Sequence, residues 1–574
     1  MLSRSAVMHR LLFTARSKSS TAAAATKICP ITGAGAGVDT GKSQVELTNV
    51  PKLPILGSII PQHSGVDKLD LSKTYDWWFS NHRKFGNFYS IGLPSLGKGL
   101  YATAYVIADP NEYMKVLRKE GQHPFGAIMT EWPFIQYYKD GGDEPGCSAG
   151  LALFSQGESW QRIRRFMQTD LLSPEAAKGY VNGMIKACQT ASQGAPLHAK
   201  NINEYSAQCS FDMFSSIVFG DFPGLAGSGK SAPSPFPSAK PSASPSSFPS
   251  GKEERDEEFC KSSVTALELI LPMLLDPTEK IRHSFGLKSK TYSTFAANFA
   301  VARKIASQKI AEFKVRKANG EIHNDFEKNS YASLAIDRYL SSLGEEGALE
   351  EEDVGEIIMV ALIAALDTTS AMLNWCIVHL AMNPHVQEQL YKEISSNVTS
   401  EGHLSTDYFS KANSAYLNAI LRENHRLTPP IALNLTKENV TDEVEIHNVT
   451  LPKQSMVILD TRSLGMNPDV IKDPDTFDPS RWLDKDQVTG RKGTVAEFLD
   501  HPLYREPFSA GARKCPGSRV ANYEAKVMLS QLVLDWKISF ASEDEQIKSW
   551  RDVSYFNGLT IQPTVPELSF EKRQ

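Results

Sequence analysis

The sequence has no C-x-x-C pair, no Gly-rich flavin or nicotinamide fingerprint and no block of like charge. It also lacks any apolar run near the roughly 20 residues that span a bilayer. Each absence excludes something. The seven cysteines (Cys29, Cys147, Cys188, Cys209, Cys260, Cys376 and Cys515) are odd in number and scattered. A disulfide framework or zinc site is therefore not expected, and a reducing compartment fits. The formal net charge is −5 and no basic patch stands out, so nucleic acid is not an expected partner. Without a flavin or nicotinamide fingerprint, the chain does not draw electrons from NADPH by itself. Residues 1–38 hold no Asp or Glu, while Arg4, Arg10, Arg16, Lys18 and Lys27 sit there among Ser and Ala. A basic, Ser-rich, acid-free start reads as an organelle transit peptide over 1–40, mitochondrial first and plastid second.

What is present is ordinary globular material: 574 residues, 41% apolar and 22% charged. The folded body is expected over 50–574, as one unit. Phe88 to Val106 alternates like a short hairpin, and Asp109-Pro110 opens a helix to Arg118. Residues 201–220 read as an apolar helix ending at Gly220. The stretch 223–251 then holds 7 Pro and 9 Ser in 29 positions. That composition cannot bury a core, so 223–252 is expected to be a disordered surface insertion. Helical periodicity resumes over 259–275 and 292–315. Val354 to Met382 is a longer predicted helix, apolar without a break over Ile357–Leu366, hence buried in protein.

Five short patterns carry chemistry. Phe508-Ser-Ala-Gly511-Ala-Arg513-Lys-Cys515-Pro-Gly517 puts a cysteine on a Gly/Pro turn before a helix, where the helix dipole and free N–H groups favour thiolate. Trp160 and Arg164 are four apart on a predicted helix, so they share a face and can both donate to an anion. Asp367-Thr368-Thr369 places an acid and hydroxyls in the middle of the long apolar helix, where burial without partners costs about 1–3 kcal/mol each. Glu423 and Arg426 are three apart on the predicted helix Tyr416–Leu427, and Phe477-Asp-Pro-Ser-Arg481-Trp482 follows downstream.

Together, and in this order, these patterns resemble those of the cytochrome P450 family, over roughly Val50 to Gln574 excluding the insertion. The resemblance implies a mainly α fold with small β-sheets and a single catalytic domain. It implies haem b (iron protoporphyrin IX) with Cys515 as the axial ligand to iron. Trp160, Arg164, Phe508, Gly511, Arg513 and Gly517 would bind the cofactor, and Asp367 with Thr368 would relay protons on the oxygen side. Glu423, Arg426 and Arg481 would form a structural network behind the haem loop. Residues 259–275 and 292–315 would be a lid over a pocket lined from 121–139, 259–300 and 359–368.

The implied activity is monooxygenation of a lipophilic substrate, a sterol or other isoprenoid first. The mitochondrial members imply electrons from a ferredoxin and its NADPH-dependent reductase, at the matrix side of the inner membrane, with peripheral membrane association. Arg422 fills one of the two basic positions that dock the ferredoxin in that branch; Asn418 fills the other. Where the family often has an Arg for a haem propionate, this chain has Thr436, with Lys437 beside it as a point charge. Ala365 replaces the usual Gly of the oxygen groove. A peroxide-using isomerase or dehydratase and a non-catalytic haem sensor or carrier are the alternative readings.

Overall fold

A computed structural model describes residues 45–573 apart from 53–57, 59–63, 69, 95–100, 125–132, 142–156, 229–250, 346–347, 411, 432–435, 439–442, 454, 506 and 543–546. The leader expected over 1–40 and most of the Pro/Ser-rich segment lie outside the described residues.

The main helices are α1 (Thr74–Phe85), α2 (Pro110–Arg118), α3 (Phe134–Lys139), α4 (Gly157–Leu171), α5 (Val181–Gly194), α6 (Ile202–Phe219), α7 (Lys252–Glu268), α8 (Lys290–Ala318), α9 (Glu351–Met382), α10 (Ala415–Leu427) and α11 (Ser518–Asp535). The strands are β1 (Thr48–Asn49), β2 (Phe88–Pro94), β3 (Tyr101–Ile107), β4 (Thr436–Glu438), β5 (Val444–Ile446), β6 (Val449–Leu451), β7 (Met456–Leu459), β8 (Trp536–Phe540), β9 (Tyr555–Asn557), β10 (Ile561–Pro563) and β11 (Leu568–Lys572). The expected hairpin is β2–β3, with Phe88 opposite Ile107. It is the centre of a mixed sheet in the order β1-β2-β3-β7-β4, and three two-stranded ribbons accompany it among the described residues.

Local chemistry explains the helix ends. The Asp109 carboxylate accepts from the N–H groups of Asn111 and Glu112, and Pro110 sits where a missing N–H costs nothing. Gly220 closes α6 in the left-handed region, φ 73°. Helix α9 has acids at Glu351, Glu352 and Asp353 in its first turn, favourable at the positive end of the dipole. By length and composition α9 could cross a membrane, but 72% of its most apolar window is buried within the protein. It is the core helix, packed on α6, α7, α8 and α11.

Two stretches differ from expectation in extent. The first lid helix breaks at Leu269 into α7 and a short turn over Ile270–Leu275, while the second extends to 290–318 as α8. The Pro/Ser-rich segment begins as packed chain: Leu225 and Ala226 are buried in a 3₁₀ turn. The carboxylate of Asp212 on α6 accepts from the N–H groups of Gly224, Leu225 and Ala226 at 2.9–3.1 Å. Composition cannot show this, because the anchor lies on a different element.

Candidate functional site

The Cys515 loop is closed on itself. The N–H of Cys515 donates to the Phe508 carbonyl at 3.0 Å and that of Lys514 to the Gly511 carbonyl at 3.1 Å. Gly517 is the N-cap of α11. A Cβ there would lie 3.9 Å from the Cys515 sulfur. Burial pushes the Cys515 thiol up, against the N–H of Gly517 and the charges of Arg164 and Lys514. Helix dipole and turn alone therefore do not make the thiolate. A bound cation would, since a coordinating thiol is deprotonated outright.

Beside the sulfur stands a cationic cluster. Trp160 and Arg164 share α4 as expected, but the indole serves as a platform: the Arg513 guanidinium lies 4.1 Å from its ring centroid. Arg513 also donates to the Pro124 carbonyl at 2.9 Å. Burial, then the neighbouring Arg164 charge, pulls Arg513 down to about 10. Arg164 Nε is buried without a hydrogen-bond partner among the described residues, as is His123 Nδ1. Two half-buried guanidiniums with an unmet donor call for an anion. The paired carboxylates of haem b fit that demand.

Helix α9 carries the acid and hydroxyls of the third pattern. It is buried nearly all round, yet Val360, Ala364, Ala365 and Thr368 remain open along one stripe. The Thr368 hydroxyl donates to the Ala364 carbonyl one turn back at 2.9 Å. Asp367 does not face that stripe. Fully buried, it accepts from Thr560 at 2.8 Å and from Gln562 at 3.0 Å. Burial raises its carboxyl, and these two hydrogen bonds oppose the shift. The structure thus brings Thr368 to the open stripe and turns Asp367 toward the β9–β10 ribbon. On the next position, Thr369 donates to Glu524 of α11 at 3.4 Å. Burial pushes the Glu524 carboxyl up to about 8.

Glu423 is the hub of the expected network. Arg426 grips it through two nitrogens at 2.9 and 2.7 Å, and Arg481 reaches it at 2.9 Å. Trp482 Nε1 also donates to it at 2.9 Å. Arg426 further donates to the carbonyls of Gly465 and Pro474, both at 2.7 Å, tying the 465–482 stretch to α10. Arg422, the expected docking residue, lies 3.8 Å above the Trp482 ring and donates to Asp500 at 2.8 Å.

Lys437 does not stand free as a point charge for a propionate. Its ammonium sits 2.8 Å from Glu120 and donates to the Ala510 carbonyl at 2.7 Å. Sequence reading missed Glu120, His123, Glu524, Thr560 and Gln562. None lies in a pattern with fixed spacing to the sites they serve; Glu524 alone carries a signal, as an acid on the apolar face of the helix after Cys515.

The Cys515 loop with Arg164 and Arg513 beside it, and α9 with its one open stripe, fit a haem-thiolate class of protein. The family model for Cytochrome P450 matches residues 51–564, and the chain belongs to that family. It is 23% identical to mitochondrial sterol 26-hydroxylase of Mus musculus over 449 residues, 76% of this chain and 74% of that protein. It is 23% identical to the mitochondrial cholesterol side-chain cleavage enzyme of Homo sapiens over 557 residues, 94% and 91% of the two chains. To Cytochrome P450 76C1 of Arabidopsis thaliana it is 25% identical over 537 residues, 90% and 89%. The protein is a haem-containing monooxygenase of lipophilic substrates.

Proposed function

We propose that Cys515 would ligate the iron of haem b, and that the enzyme hydroxylates a sterol or related isoprenoid with electrons from a ferredoxin. The observation that carries this reading is the Cys515 loop with the Arg513 guanidinium on it and the buried, unpartnered Nε of Arg164 beside it. With a thiolate ligand, haem supplies the chemistry of O–O cleavage, one oxygen atom entering the substrate C–H bond and the other leaving as water. The chain's own residues do the rest. Arg164 and Arg513 would hold the cofactor's carboxylates, with Trp160 beneath the Arg513 guanidinium. Gly517 leaves the sulfur uncrowded. Thr368 gives its proton to the Ala364 carbonyl, so its oxygen accepts from a water in the open stripe. Asp367, one residue away and hydrogen-bonded to Thr560 and Gln562, would be the acid of the relay, its carboxyl raised by burial.

The sterol assignment is supported by the relatives acting on sterols and cholesterol. Ferredoxin supply and a mitochondrial matrix location are supported by the same mitochondrial relatives and by the acid-free residues 1–38. For Arg422 to dock a ferredoxin, an acid of the partner must compete with Asp500 for its guanidinium.

The test is the CO difference spectrum of the dithionite-reduced protein. The parent shows a thiolate-type Soret band and Cys515→Ala does not. A band that is absent from the parent, or that survives the substitution, overturns the proposal.

A further inference from the structure

Glu120 and Lys437 face each other on either side of the backbone at Ala510–Ala512. Both side chains are almost wholly buried, 5% and 4% exposed, with 2.8 Å between Oε1 and Nζ. Lys437 donates to the Ala510 carbonyl at 2.7 Å, while the Ala512 N–H donates to Glu120 Oε2 at 3.3 Å. Between them Gly511 has φ +73°, and a Cβ there would fall 2.1 Å from Glu120 Oε2. The glycine therefore makes room for this carboxylate as well as allowing the left-handed turn. The ion pair grips one carbonyl and one N–H of the haem loop, three to five residues before Cys515.

The pair is also electrical. Lys437 feels the charges of both Arg513 and Arg164, and Glu120 is the acid whose charge acts on Arg513 and Lys437. A buried ion pair is rarely retained for stability alone, since two apolar groups of similar volume often serve as well. A pair that both fixes a loop and sets its charge has a further use.

We infer that Glu120 and Lys437 are positioning residues for the Cys515 ligand, clamping the loop backbone and balancing the Arg164–Arg513 charge felt at the iron. This rests on the haem-thiolate reading of Cys515. Reduction adds an electron near the pair, so a neighbouring negative charge opposes it and a positive charge favours it. A merely structural pair would weaken the fold equally whichever partner is removed, with no opposite effect on the iron.

The experiment uses holoprotein of the parent, Glu120→Gln, Lys437→Met, the double variant and Glu120→Asp. Two quantities are measured: the ferric/ferrous midpoint potential, and the rate at which the thiolate-type CO band decays on standing. Glu120→Gln is expected to raise the potential and Lys437→Met to lower it, with the double variant between them. Each single change accelerates band decay several-fold, and the double variant decays more slowly than either, because no buried charge is left unpaired. Glu120→Asp keeps the potential near the parent's but accelerates decay, since it keeps the charge and shortens the reach. Should the single variants take up no haem, uptake by the double variant is the expected result. Potentials that do not move, or move the same way in both single variants, overturn the inference, as does a double variant no better than either single one. A parent lacking the thiolate-type band would instead remove the reading of Cys515 itself.

Discussion

Glu423 accepts five hydrogen bonds, two from Arg426 and one each from Arg481, Trp482 and the Asp478 N–H. Burial pushes its carboxyl up, but the two guanidiniums outweigh burial and hold it below the ordinary range. Neutralising it leaves two buried cations uncompensated. Glu423→Gln is expected to cost about 3–5 kcal/mol in chemical denaturation, with loss of haem uptake. Glu524 behaves oppositely. Its carboxyl, ordinarily near 4.5, is pushed up to about 8. The folded protein therefore holds a proton there that the unfolded chain has released, and stability falls as pH rises between those values, by up to about 1.4 kcal/mol per pH unit. Glu524→Gln removes that loss. The melting-temperature advantage of the variant should grow from about pH 4.5 to about pH 8 and then level off, and a gap that ignores pH would rule the assignment out.

At the scale of elements, α8, expected to be part of a lid, is tied to α3 and α9 by polar contacts. Arg303 of α8 reaches Glu356 of α9 through both terminal nitrogens, 3.0 Å for one of them, and also contacts Tyr138 of α3. Its guanidinium lies 4.8 Å from the Tyr138 ring centroid. At the front of the same helix, Tyr292 donates to Asp140 at 3.0 Å and Lys288 pairs with Asp140 at 2.9 Å. Aromatic contacts of Phe134 and Tyr137 with Phe295 and Phe299 fill the space between these latches. Arg303→Met alone should cost about 3–5 kcal/mol, because Glu356 is left charged and buried, whereas Arg303→Met with Glu356→Leu should come within about 1–2 kcal/mol of the parent. Stopped-flow spin-state changes with a sterol should show faster entry and release in the double variant. Unchanged rates would mean that these contacts do not gate the pocket.

At the scale of the whole molecule, the chain between α7 and α8 is the conspicuous apolar surface: Phe285 is 76% exposed and Leu287 61%. Arg282, Lys288 and Lys290 flank them. An apolar tip beside bases suits an anionic bilayer surface, although Arg282 pairs with Asp276 and Glu279 and Lys288 with Asp140. Phe285→Ser with Leu287→Ser should weaken binding to cardiolipin-containing vesicles by at least about tenfold, given about 1.5–3 kcal/mol for each buried side chain. Equal sedimentation of parent and variant with vesicles would exclude this surface as the contact.

The sequence by itself determined the family, the helical class and the ends of several elements, α2, α6 and α10 among them, because caps, periodicity and the five spaced patterns are local. Glu423 with Arg426, and Cys515 with Gly517, are a few residues apart, so spacing alone places them together. What only the tertiary structure decided are pairings across long separations: Glu120 with Lys437, Asp212 with the start of the Pro/Ser segment, and Thr369 with Glu524. It also decided which way Asp367 turns, because the ribbon holding Thr560 and Gln562 is nearly 200 residues away. A buried charge must find its partner wherever the packed chain brings one, and no short pattern records where that is.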